Sequence, residues 1–223
     1  MDNQVLEIRK HLKKKLDPFR FEHTLGVSYT CQALAMRYGY DIQKAGLAGL
    51  LHDCAKRYDN DTMMEKCLKR NIPVTDSEVR DPSLLHAKLG AYMAKEKYGV
   101  EDEEILNAIA CHTTGRKNMT VLDKILYVAD YIEPNRYKAV NLTSMRALAF
   151  ENLDLACLSI MESILRYLES TNCPIDPLTA DACEDMKRVV DQSETKEEPK
   201  NESVKRNGKN RRTRARREKR RRY

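Results

Sequence analysis

The chain has no run of residues suited to crossing a membrane: its longest uncharged stretch near the front, Thr24 to Met36, is 13 residues, where a bilayer needs about 20. Nor is a secretory leader recognisable at the N-terminus. The seven cysteines (Cys31, Cys54, Cys67, Cys111, Cys157, Cys173 and Cys183) are odd in number, scattered, and never spaced Cys-x-x-Cys. That argues against a disulfide framework or a zinc-thiolate site and fits free thiols in a reducing cytoplasm. Strand-like alternation, a glycine-rich phosphate loop and internal repeats are missing too, which leaves an all-helical architecture as the expectation.

Charge is present but unevenly placed. The net +6 of the 223 residues conceals a tail, residues 195 to 223, with 14 Lys or Arg against 4 Glu; the remainder carries 26 basic and 30 acidic side chains. The body is therefore mildly acidic, and at 41% hydrophobic residues the chain can bury one sizeable core. Residues 1 to 190 read as one folded domain and 191 to 223 as a disordered basic appendage, since the block RRTRARREKRRRY cannot support a core. Such a run attracts polyanions, so the expectation is nonspecific contact with RNA or the ribosome surface, set against a merely solubilising role.

Helical period governs the body. Val5, Ile8, Leu12 and Leu16 mark a short amphipathic helix over 3 to 16, stopped by Asp17-Pro18. A largely buried helix follows from Phe19 to about Arg37, closed by Gly39, and a third runs from the capping residue Asp41 to His52. Its small residues Ala45, Gly46, Ala48 and Gly49 imply close packing at a central position. Further helices are expected over 61 to 69, 83 to 98, 101 to 111, 121 to 132 and 178 to 190, with one long or broken helix over 142 to 168. Residues 71 to 81 and 113 to 118 read as loops.

Chemistry concentrates at helix ends. Leu50-Leu51-His52-Asp53-Cys54-Ala55-Lys56 places an imidazole and a carboxylate side by side at the edge of a core, where both can ligate a divalent metal. Taken alone, such a pair is better explained by a capping histidine beside a solvated aspartate. However, His23, His86 and His112 also lie near ends of apolar helices, and Asp130 stands within an apolar setting, whereas His11 sits among lysines and reads as a surface residue. Buried carboxylates need compensation worth several kcal/mol. No equally placed arginine is obvious for each, and a pair of divalent ions would supply it.

These residues, His23, LLHDCAK, SLLHAKLGA, AIACHTTGRK and YVADYIEPNR, together resemble the HD-domain metal phosphohydrolases. Within them the similarity, from about Arg20 to Leu155, is to the YqeK-type members, which cleave diadenosine tetraphosphate symmetrically into two ADP. The resemblance implies a helical bundle around a dinuclear site, commonly iron, with manganese or cobalt acceptable to the same ligands. It places His23, His52, Asp53 and Asp130 on one ion and Asp53, His86 and His112 on the other, Asp53 bridging. Six side chains so arranged make seven bonds, where two six-coordinate ions need about twelve, so open positions remain for water and substrate. A metal-bound hydroxide is then the expected nucleophile, with Asp53 and Lys56 as catalytic residues.

Substrate contacts are read more coarsely. Lys56 of the HDxxK pattern could reach a phosphate oxygen or could simply be a solvated helix-end lysine. Thr113, Thr114, Arg116 and Lys117 follow a ligand directly and suit phosphate, as does Arg136. Cys54 and Cys111 adjoin ligands but turn to other helix faces, where packing is their role; Arg20 is expected to pair a carboxylate near its helix entry. Because metal ligands do not read a base, an alarmone, a cyclic dinucleotide or a deoxynucleoside triphosphate is the rival substrate, and an RNA-associated regulatory protein working through its tail is the rival class. A homodimer is left open.

Overall fold

In a computed structural model, residues 3–197 are described. Eleven α-helices and one 3-10 turn make up the fold among the described residues, and there is no strand. The order is α1 (Asn3–Lys15), α2 (Pro18–Tyr38), α3 (Ile42–Leu51), α4 (Asn60–Lys69), α5 (Asp76–Arg80), the 3-10 turn Pro82–Leu84, α6 (Leu85–Tyr98), α7 (Glu103–Cys111), α8 (Val121–Ile132), α9 (Leu142–Glu151), α10 (Leu153–Ser170) and α11 (Pro177–Glu197). None is long and apolar enough to cross a membrane.

Local chemistry sets most boundaries. Asp17 caps α2 by accepting from the Arg20 N–H, with Pro18 in the first turn, and Gly39 closes the helix in the left-handed region at φ 66°. Asp41 caps α3 through the N–H groups of Gln43 and Lys44. The paired helices α2 and α3 form the most extensive helix contact, joined by α8, α6 and α7 to enclose the core. Small residues make that contact possible: a Cβ on Gly49 would come 2.8 Å from the Ser28 Cα. The Ser28 hydroxyl donates to the Gly46 carbonyl at 2.7 Å across the same seam. The central position inferred from Ala45, Gly46, Ala48 and Gly49 is therefore observed, all but Gly46 and Gly49 being completely excluded from solvent as core residues.

Two expectations are corrected and one left open is decided. The stretch 71 to 81 is not all loop, because α5 occupies Asp76–Arg80 with a full capping box between Thr75 and Glu78. The long segment after Leu142 is broken at Asn152, which ends α9 and caps α10 by accepting from the Leu155 N–H. Lastly, α11 runs to Glu197, past the boundary expected at residue 190; the rest of the basic tail lies outside the described residues. Six of the seven cysteines are buried as free thiols and Cys173 is exposed.

Candidate metal centre

Four helix ends converge on one point. His52 follows the last turn of α3, His86 opens α6, and His112 follows the last turn of α7, while His23 projects from the second turn of α2 and Asp130 from the last turn of α8. All four imidazoles and Asp53 are buried. Three of the histidines are aimed by the same local device. The Nδ1–H of His52 donates to the Gly49 carbonyl (2.7 Å), that of His86 to Ser83 (2.5 Å) and that of His112 to Ile109 (2.7 Å). In each case the acceptor is three residues upstream; Gly49 and Ile109 lie in final helix turns, whose carbonyls lack intrahelical partners. With Nδ1 committed as a donor, Nε2 is left as the acceptor that a metal uses.

The Nε2 atoms face the two carboxylates and one another. The two oxygens of Asp53 divide the cluster: Oδ2 lies 3.5 Å from His52 Nε2 and 3.8 Å from His23 Nε2, and Oδ1 lies 3.4 Å from His86 Nε2 and 3.7 Å from His112 Nε2. Asp130 Oδ1 completes the first side, 3.1 Å from His23 Nε2 and 3.9 Å from His52 Nε2. On the second side His86 and His112 approach Nε2 to Nε2 at 3.1 Å. Two triads have donor atoms close enough to share an ion, His23–His52–Asp130 and His52–Asp53–His112. The second differs from the expected Asp53–His86–His112 grouping by including His52, which stands between the two sides.

These residues fit divalent cations on their own chemistry. The Nε2 atoms of His23 and His52 are buried with no hydrogen-bond partner, a costly state for a polar atom in a low-dielectric interior unless something fills it. A neutral imidazole beside a carboxylate is the donor set that iron, manganese, cobalt or zinc accepts. Burial, followed by the neighbouring His112, pushes His86 down to about 3, so its ring is neutral at ordinary pH. At Asp53 burial opposes ionisation, but His52, His112 and His86 outweigh it and hold the carboxyl well below its usual range. The carboxyl of Asp130 is likewise lowered against its burial, by His23, His52 and Arg136. His23 is raised: burial opposes this, but the carboxylates of Asp130, Glu133 and Asp53 prevail.

Sequence reasoning missed two features. Glu133, almost fully buried, meets His23 Nδ1 at 3.1 Å and orients the one imidazole that lacks a carbonyl partner. The signal was available, since Glu133 belongs to the ADYIEP stretch. The glycine at position 26 leaves the space that its carboxylate fills. Arginines, moreover, do reach the buried carboxylates, as expected for Arg20 but not for Arg136. Arg20 Nη1 lies 2.6 Å from Asp53 Oδ2, and Arg136 Nη2 lies 2.8 Å from Asp130 Oδ1. Long side chains from outside the apolar pattern make these contacts, and periodicity does not register them.

The other residues singled out fall into two groups. Thr113 Oγ1 points into the cluster, 3.2 Å from His86 Nε2 and 3.3 Å from His112 Nε2. Half-buried Lys56 has no carboxylate within ion-pair distance among the described residues; burial lowers its pKa, only partly opposed by Asp53. Arg136 stands at the rim through Asp130. Thr114, by contrast, donates to the Gly115 carbonyl, Arg116 is tied to Asp123 at 2.7 Å, and Lys117 pairs with Asp181 at the surface. Cys54 and Cys111 donate weakly to the Gly90 and Ala108 carbonyls, and burial pushes both thiols up to about 12, which accords with a packing role.

The chain is similar to several known proteins. The HD domain model matches residues 20–135. A symmetrical bis(5'-nucleosyl)-tetraphosphatase from Halalkalibacterium halodurans is 41% identical over 168 residues, 75% of this chain and 89% of that protein. Its counterpart from Bacillus subtilis is 39% identical over the same shares. A crystal structure described as a predicted HD superfamily hydrolase involved in NAD metabolism, from Clostridium acetobutylicum, superposes with a TM-score of 0.80 at 36% identity, covering 83% of this chain and 97% of that one. The helical body, with its histidine and aspartate cluster, belongs to the HD domain family.

Proposed function

We propose that this chain hydrolyses diadenosine tetraphosphate symmetrically, at the central anhydride, to two ADP. The observation that carries the reading is the division of Asp53, whose two carboxylate oxygens each face a different group of imidazoles, in a chain about 40% identical to enzymes named for this reaction. His23, His52, Asp53 and Asp130 would hold one divalent ion and Asp53, His86 and His112 the other, iron being the first choice. Bound there, such ions supply Lewis acidity toward phosphorus and bring the pKa of water toward neutrality.

The chain's own residues do the rest. Glu133 and the three carbonyls fix the imidazoles, so little reorganisation accompanies the reaction. Lys56, whose ammonium has no fixed partner, and Thr113, whose hydroxyl already faces His86 and His112, are placed to contact phosphate oxygens. Arg20 and Arg136 neutralise Asp53 and Asp130 and can transfer their remaining N–H groups to the polyphosphate. Cleavage at the middle bond is tested by separating products after incubation of the metal-reconstituted full chain with diadenosine tetraphosphate. Two equivalents of ADP are expected. AMP with ATP, or faster turnover of an alarmone, a cyclic dinucleotide or a deoxynucleoside triphosphate, would refute the assignment.

A further inference from the structure

Beside the metal centre lies a cleft of about 730 Å³, lined in part by Phe19, Arg20, His23, Glu133, Arg136 and Tyr137. Its volume falls in the range of small-ligand sites. Two of its aromatic side chains are almost wholly exposed, Phe19 at 90% and Tyr137 at 80%. A single exposed aromatic needs no explanation, but here two line the mouth of one cleft that leads to the metal ligands. Each is the immediate neighbour of an arginine tied to a site carboxylate: Phe19 precedes Arg20, which reaches Asp53, and Tyr137 follows Arg136, which reaches Asp130. Exposure rises from the two site carboxylates, through the guanidinium groups that reach them, to the aromatic rings of the cleft. A nucleotide has the matching order of reacting phosphorus, flanking phosphate oxygens and base.

The geometry points to Phe19 and Tyr137 as the contacts for the base of one nucleoside diphosphate half of the substrate, an assignment that rests on the proposed reaction. Every base offers a π-face, so stacking on exposed rings gives affinity without reading base identity. The Lys138 ammonium, 5.6 Å from the Tyr137 ring centroid, occupies one side of that ring and leaves the other for a base. Asp17 and Glu22 also line this cleft, and their charge disfavours occupation by a bare polyanion. Base contacts at a fixed distance from Asp53 would let the site count phosphates and so select the central bond.

The test compares ADP with inorganic pyrophosphate as ligands of the manganese-loaded full chain, by titration calorimetry, for the wild type, Phe19→Ala and Tyr137→Ala. Both positions are exposed, so the variants should melt with the wild type. ADP affinity is expected to fall about tenfold in each variant, as loss of one stacking partner implies, while pyrophosphate affinity stays within about twofold. Unchanged ADP binding in both variants, or an equal loss for both ligands, would overturn the base contact. If the wild type still yields two ADP from diadenosine tetraphosphate, that result leaves the proposed reaction intact. A wild type that neither cleaves the substrate nor binds ADP would instead sink the reaction itself, and the base contact with it.

Discussion

Helix α8 carries two aspartates two turns apart, Asp123 near its start and Asp130 near its end, and the same helix face treats them in opposite ways. Asp123 Oδ2 accepts from the Arg116 guanidinium at 2.8 Å and from the Thr120 N–H at 2.9 Å, and Thr120 returns the cap to the Asp123 N–H. Every one of these contacts comes from a donor, so Asp123 Oδ2 is satisfied by protein, although Oδ1 is buried with no hydrogen-bond partner. Asp130 also has an arginine, but its other neighbours are the Nε2 atoms of His23 and His52. A neutral imidazole facing a carboxylate is acceptor against acceptor, frustrated until a proton or a metal cation stands between them. Burial alone therefore does not mark a functional carboxylate; the sign of its surroundings does.

That contrast can be broken at several points, beginning with the largest effect. Asp130→Ala and Asp53→Ala should each bring turnover of diadenosine tetraphosphate down to background and lower the metal content measured by elemental analysis, while far-ultraviolet circular dichroism stays unchanged. His11→Ala, remote from the cluster beside Lys97, should retain wild-type turnover, and equal losses at His11 and Asp53 would refute the site. Glu133→Ala, which releases His23 without removing a ligand, should weaken metal affinity or turnover by about 10- to 100-fold, read by metal titration. Asp123→Ala should do the reverse of Asp130→Ala. Losing the helix cap and the Arg116 contact should cost about 2 kcal/mol of stability in chemical denaturation, with turnover per folded molecule unaltered.

Much of this was legible from residue spacing. The period of apolar residues gave α1 to α4, α6 to α8 and α11, and all six metal-ligand candidates meet at one centre because helix ends, unlike helix faces, can converge from different directions. What escaped the pattern escaped for physical reasons. Flanking prolines at 73 and 82 obscured α5, although its Thr75 and Glu78 capping box was present. Asn152 interrupts a continuous apolar period with a cap, so only the backbone shows that α9 and α10 are separate. Arg20, Arg136 and Glu133 reach the centre through side-chain length or a sharp chain turn, and neither leaves a trace in a 3.6-residue repeat. Arg116 illustrates the converse: a loop cation next to a ligand looked suited to phosphate, yet it is tied to the cap of α8.

The carbonyl three residues upstream of His52, His86 and His112 has a consequence for how the protein acquires its metals. Because each ring is steered by its own stretch of backbone, the coordination sphere is laid out as soon as those helix ends form, before any ion arrives. Loading then requires dehydration and entry of ions, with no refolding. One metal should exchange for another without disturbing the scaffold, so that the cell's supply of iron or manganese, more than the architecture of the protein, would decide which one the enzyme carries.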